Sequence, residues 1–502
     1  MAKIYKIHPG IGIARVGDSP DEFFIGPEIP GVNPVEIISG NEIPVEKYKD
    51  TSGRIKRQAA RFRVFEYEED AAGRLTPLRE ITLADAQIEW QVTLANKKAA
   101  AERFSSAGPR NPEVPIPELE IKPVFEPISG SNQAVTASSP GFFKGKEVYL
   151  GELRTDAQGR LMVLGGKGLS ASEPAGQPIT GFANNEFWHD DVADGPIEAQ
   201  VTFPNGDSFT VEGAWVIVAP PDFAPQIYGL TTLYDIAFQA AVDRGWLAPP
   251  TTPSFRDDIL PIIQRGANLR WVDQWNSFLP IAQDPAILGS KTDPSAGSVR
   301  SNVFNLLVAI EDFQILNDFE FTQVQRDILN KWLNLDFIED FNNSPSNLSL
   351  TPSNLDRAAL EQAVGGGFFP GIEAGILMTN SDIYSEPFRL TRSRSACPLG
   401  LSPFSNNGVS VQLEAGSITA RMAVPWQADF LKCSRGWWPA QRPNRVMVNT
   451  NDVRPNENWI PGGTRHTQLV ENFGRLGFIV PRENNTGETV FVEDERDSTF
   501  PH

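Results

Sequence analysis

The chain has 502 residues and a formal net charge of −19, which argues against nucleic acid and anionic membrane surfaces as partners. Its hydrophobic fraction of 40%, with 31 Phe and 11 Trp, is ample for a sizeable core, and length predicts roughly two to four domain-sized units or one large domain with additions. Two cysteines make no disulfide framework. No apolar run reaches membrane-spanning length, and residues 1–12 carry no apolar signal segment, so the cytoplasm is the default compartment and leaderless export the alternative.

Residues 4–7 read as a short strand before the glycine-punctuated GIGIARVG. No helical pattern follows those glycines and residues 18–20 break the chain, so a phosphate-cradling loop is rejected. Residues 54–67 bring five basic groups into a strand, RFRVFEY; on so acidic a chain these predict internal salt bridges or anion contacts rather than a docking patch. Residues 89–98 predict a strand entering a polar turn, and residues 105–140, rich in Pro, Ser and Gly, a long ordered loop or surface insertion. Two hairpins follow, over 146–165 and 197–211, the second turning at Asn205 and Gly206, and 214–219 reads as a buried strand.

The period then changes from 2 to 3.6. Helices are predicted over 232–245, 303–313 and 321–335, and another opens at a capping box of Ser353 to Asp356 and stops at Gly365. Residues 367–377 form a backbone-permissive string beside Glu373. A hairpin around 414–417 and a strand over 476–481 close the chain. The fold class is α+β, with a β-rich N-terminal half, a helical middle and a β/loop C-terminal region carrying the candidate site. The regions are 1–225 and 226–502, or one interlocked unit.

None of the four histidines (His8, His189, His466 and His502) pairs at ligand spacing, so no metal site is predicted. Around His189, Asp190 and Asp191, with Asp194, a solvated loop outweighs a hard-cation site. Chemical character concentrates in residues 416–443, where Asp429 stands four residues before Cys433 among Trp426, Trp437 and Trp438. Alternation over 418–422 predicts a half-buried strand leading into this stretch. A helical turn from 428 to 432 would set Asp429 and Cys433 on one face. A carboxylate beside a sulfur nucleophile makes a reaction site; the competing reading is a structural cysteine in an aromatic cluster. Arg435 and Arg442 are candidates for a bidentate clamp on a substrate carboxylate, or for capping loop carbonyls.

The stretches KRQAARFRVFEY, WQVTLANKKAA, GRLMVLGGKG, FWHDDVADGPI, APPDFAP, FFPGIEAGI, ITARMAVPWQADFLKC and WWPAQRP resemble the lysine ε-oxidase / glycine oxidase family from end to end. That family carries cysteine tryptophylquinone, a cofactor made by cross-linking a cysteine to an oxygenated tryptophan of the same chain. The resemblance implies oxidative deamination of a primary amine or amino acid, giving aldehyde or keto acid, ammonia and hydrogen peroxide. It also implies molecular oxygen as acceptor, a maturation flavoprotein as partner and a homo-oligomer, with no nucleotide and no metal. Carried over residue by residue, Asp429 assists oxygenation and Cys433 supplies the thioether. Trp459 is the candidate quinone tryptophan, with Trp438 at the cofactor. The resemblance also associates a tryptophan with the position before the L-G-F of the last strand, where this chain has Phe473. The alternative is therefore a family member without quinone, acting as a scaffold, a binding protein or in other chemistry. The aromatic residue facing Cys433 decides between the two.

Overall fold

A computed structural model describes residues 3–103, 106–272, 279–312, 321–343, 349–365, 374–392, 413–432 and 442–502. Its architecture is α+β. The frame is a 14-stranded mixed sheet contributed by residues 3–219, and its centre is a long strand, β3 (Arg57–Glu69). This strand pairs antiparallel with β1 (Lys3–His8) and β2 (Ile11–Arg15) on one side. It also pairs antiparallel with β4 (Leu75–Ile81) through Val64 to Glu69 and with β7 (Leu161–Leu164) through Ala59 to Phe62. The glycines at residues 10–17 thus lie in and beside a buried strand.

Alternation explains why β3 can be buried from Arg57 to Tyr67. Ala60, Phe62 and Val64 enter the main core on one face, while Arg61 and Arg63 on the other meet Glu28, Glu42 and Glu80. Burial opposes ionisation of Glu28, but hydrogen bonds from both arginines outweigh it and bring its carboxyl to about 2. The basic run of 54–67 is an internal ion-pair lattice, as its setting in an acidic chain predicts.

From β3 the sheet runs through β1 to β9 (Ser208–Ala219), β8 (Ala193–Thr202) and β5 (Gln87–Val92). The turn between β8 and β9 closes by Phe203 N–H to Asp207 O at 2.8 Å. The second arm of the predicted hairpin and the predicted buried strand are one strand, β9, with a register shift opposite Ile197. In the other predicted hairpin only β6 (Glu152–Thr155) and β7 pair across the turn. Lys146–Val148 pairs back onto Gly141–Phe143 instead.

Helices follow the sheet in the chain, and two of them cover one of its faces. The longer ones are α1 (Leu233–Asp243), α2 (Leu260–Asn268), α3 (Ala296–Asp312), α4 (Gln323–Leu333) and α5 (Pro352–Glu361), of which α1 and α5 lie on that face. Thr232 and Asp235 form a capping box on α1, and Thr322 and Gln325 another on α4. α3 starts seven residues before the predicted 303, because its first two turns carry small and polar residues that show no apolar stripe. The predicted capping box at Ser353 is not formed. Thr351 caps α5 with Pro352 in its first turn, and Asp356 turns inward to accept from His8 Nδ1 and from the Gly10 amide at 2.7 Å.

Leu233, Ile236 and Leu360 pack with Ile11, Ile13, Trp215 and Ile217 on this face. The larger core contains residues from Tyr5 to Val480, including Trp426, Phe430, Trp459 and Phe473. The chain ends in α6 (Trp426–Lys432), α7 (His466–Asn472) and a hairpin of β10 (Phe478–Glu483) with β11 (Thr489–Asp494). Among the described residues no helix is long and apolar enough to cross a membrane.

Candidate active site

The site is built on α6, and the β half supplies the cradle for it. Residues 418–422 are predicted as a half-buried strand; they belong instead to a run of turns that begins at residue 415. The reason is Asp194, a fully buried carboxylate at the end of β8. It accepts the amides of Ile418 and Thr419, the Thr419 hydroxyl and the Trp215 indole N–H. A backbone that gives its N–H groups to a side chain has none for a sheet ladder. Arg110 then takes the carbonyls: its Nη1 donates to Lys98 O at 2.7 Å and Ala420 O at 3.1 Å, and its Nη2 to Arg421 O at 3.0 Å. Asn185 donates to Val424 O at 2.9 Å.

The start of α6 is set by Asp190, whose Oδ2 accepts from Trp426 N–H at 3.1 Å and from Lys98 Nζ at 2.8 Å. Lys98 Nζ also donates to Ala423 O at 2.8 Å. Burial pulls the Lys98 ammonium below its usual range, and the charges of Asp190 and Asp429 work against that pull. Asp429 thus stands within electrostatic reach of a buried cation. The expected solvated loop at His189 to Asp194 is overturned. Asp190, Asp191 and Asp194 are all at 1% exposure or less, each spent on holding neighbouring chain. Among the described residues no group of His, Cys, Asp and Glu is arranged to hold a metal ion.

α6 is buried from Trp426 to Phe430, Asp429 included. Trp426 meets Phe473 edge-on at 5.2 Å between ring centroids and Phe430 at 5.0 Å. Phe430 in turn lies 6.3 Å from Trp459, which is fully buried, packs against Phe223 at 4.8 Å and donates its indole N–H to Gly477 O at 3.0 Å. The two downstream aromatics therefore approach α6 at different residues, Phe473 at Trp426 and Trp459 at Phe430. Arg442, also buried, donates through Nε to Phe430 O at 2.5 Å and through Nη1 to Asn444 Oδ1. That is the carbonyl-capping arrangement, at the end of α6 where carbonyls lack helical partners. Cys433, Arg435, Trp437, Trp438, Cys397 and Glu373 lie outside the described residues.

Comparison with known proteins gives two family matches. The family profile described as "L-Lysine epsilon oxidase N-terminal" matches residues 8–218, and "L-lysine epsilon oxidase C-terminal domain" matches residues 305–455. The chain belongs to the L-lysine ε-oxidase family. The L-lysine 6-oxidase of Marinomonas mediterranea is 25% identical over 98% of this chain and 89% of its own. A solved structure of the ε-lysine oxidase from the same organism superposes with a TM-score of 0.78 at 24% identity, covering 98% of this chain and 95% of that one. A further structure, of the Schiff base intermediate of that enzyme with L-Lys, gives a TM-score of 0.77 at 25% identity, with the same coverage.

Within this family fold, sequence reasoning located α6, Asp429 and the aromatic wall. It missed Lys98, Arg110, Asp190 and Asp194 as the cradle. The available signal was the apolar flank of the acids: Phe187 and Trp188 on one side, Val192 and Ala193 on the other.

Proposed function

We propose that this chain is an oxidase of a primary amine or amino acid, with Asp429 on α6 as the group that takes the substrate proton. The observation that carries the reading is a fully buried Asp429 in an aromatic wall, in a chain that follows the lysine oxidases over nearly its whole length. A carboxylate held beside the substrate carbon can take its proton as a general base. Trp426, Phe430 and Phe473 line its helix with rings. Arg435 is the candidate for the substrate carboxylate; Arg442, already bonded to Phe430 O, fixes the end of α6.

The residues suit a protein-derived quinone: a buried carboxylate shares the helix with Trp426, and Trp459 is buried next to Phe430 of the same helix. Cys433 and Trp459 would hold cysteine tryptophylquinone with Trp438 beside it. That group supplies an electrophilic carbonyl for the amine and passes its electrons to oxygen. Aldehyde or keto acid, ammonia and hydrogen peroxide are the products in this reading, after maturation by a flavoprotein and assembly as a homo-oligomer.

Phe473 favours a second reading. It is buried against Trp426, in the position before L-G-F that the resemblance associates with a tryptophan. If that is the quinone position, a benzene ring cannot become tryptophylquinone, and the chain is a family fold used for binding or scaffolding. Intact mass and quinone staining of protein co-expressed with its neighbouring flavoprotein decide the matter. Added oxygen with a positive stain supports the oxidase; an unmodified mass and no stain overturn it.

A further inference from the structure

Asp191 is buried completely and the chemistry proposed above does not use it. Its Oδ2 accepts the Leu169 amide at 3.0 Å, and its Oδ1 has no hydrogen-bond partner in ordinary geometry among the described residues. Gly166 lies so close that a Cβ there would come within 2.5 Å of the carboxyl. Asp191 therefore backs the loop of residues 166–170 from the sheet side. The other side of that loop faces α6 and the aromatic wall. Gly168, at φ +74°, would put a Cβ 2.3 Å from the Phe473 ring. Gln427 of α6 donates to Gly168 O at 3.3 Å and accepts from the Ser170 hydroxyl at 2.8 Å.

We propose that Asp191 is a positioning residue of the α6 site: its carboxyl holds the loop of residues 166–170 against Phe473 and Gln427. The proposal rests on α6 being the functional element, although its readouts do not require activity. An ionised carboxylate this deeply buried, with backbone amides and no cation as partners, is costly. Burial pushes the Asp191 carboxyl up to about 7, against the favourable amides of Leu169 and Lys167 and with the help of the Asp190 charge. The other charges nearby are engaged elsewhere. Lys98 is turned to Asp190, and the Lys167 ammonium lies over the Tyr149 ring at 5.2 Å. His189, packed on Phe143, is pulled by burial toward its neutral form. Asp429 lies within reach of Lys98.

The sign follows from linkage. A carboxyl whose folded value lies above its unfolded one contributes stability that is complete below about 4 and lost as pH rises to about 7. Wild type, Asp191→Asn and Asp191→Ala are compared by denaturant unfolding at pH 5.5 to 8 and by amide hydrogen exchange. Relative to Asp191→Asn, the wild-type unfolding constant is expected to rise by up to about tenfold per pH unit below 7 and then level off. The Leu169 amide should stay protected in Asp191→Asn and lose at least about tenfold protection in Asp191→Ala. Parallel pH profiles of wild type and Asp191→Asn overturn the proposal, as does unchanged Leu169 protection in Asp191→Ala. Should Asp191→Ala not fold, the first comparison still decides. Absence of oxidase activity in the wild type bears on the proposed function alone.

Discussion

Lys98 donates to Asp190 at 2.8 Å with both side chains at 1% exposure or less, and Asp190 in turn caps the first amide of α6. One buried ion pair thus joins the β half of the chain to the helix that carries Asp429. Removing one partner of such a pair leaves an uncompensated charge in the interior, which costs more than the pair itself is worth. Lys98→Met should therefore lower stability by about 3–5 kcal/mol in denaturant titration, and Lys98→Met combined with Asp190→Asn should recover part of the loss. Additive losses would mean that the two groups do not act as a unit.

The division into a β-rich first half and a helical middle was legible because it rests on periodicity. The sheet comes from residues 3–219 and α1 to α5 fall within 233–361. Local chemistry that competes with tertiary partners was harder to read. Asp356 has the spacing of a capping residue, but His8 and Gly10, some 350 positions away, claim its carboxylate. Residues 418–422 alternate like a strand, and Asp194 takes the amides that a strand would need. Burial of the Asp190 and Asp191 carboxylates was invisible for the same reason: their partners, Lys98 and the loop of residues 166–170, are remote in sequence. Asp429 and its tryptophan neighbour on α6 were legible because their spacing is helical and local.

Gly168 and Phe473 form a second coupled pair. With φ at +74° and the Phe473 ring where a Cβ would go, Gly168→Ala meets both backbone strain and overpacking. A loss of roughly 2–4 kcal/mol is expected. Phe473→Leu should relieve the steric part, so the double variant should be less destabilised than the sum of the two singles. Equal sums in a thermal or denaturant series would refute the contact.

Glu28 supplies a pH test of the sheet. Arg61 and Arg63 hold its carboxyl at about 2 despite burial. A depressed carboxyl contributes stability that is present above its unfolded value and lost as pH falls from about 4.5 to about 2. Glu28→Gln should flatten acid unfolding in that window and lower stability at pH 7 by about 3–5 kcal/mol, because two buried guanidiniums lose their shared anion. Unchanged acid unfolding of Glu28→Gln would show that the arginines rely on Glu42 and Glu80 instead.

Asp429 and Cys433 carry the functional test. Asp429 is fully buried on α6, and the four-residue spacing to Cys433 is that of one helical face. If Asp429 takes the substrate proton, Asp429→Asn keeps the volume and removes the base, and peroxide release on adding primary amines should fall by about 100- to 10,000-fold. Cys433→Ser should abolish both peroxide release and quinone staining, since an oxygen cannot stand in for the thioether sulfur. The fold should survive in both variants, because the cradle is held by the bonds of Lys98 to Asp190, of Thr419 to Asp194 and of Arg110 to Ala420. Circular dichroism and denaturant midpoints near those of wild type check that point. Wild-type peroxide release that both variants retain would remove α6 as the reaction site. A wild-type protein inert toward every amine, with an unmodified mass and Phe473 seated on Trp426, would leave the scaffold reading in place of the oxidase.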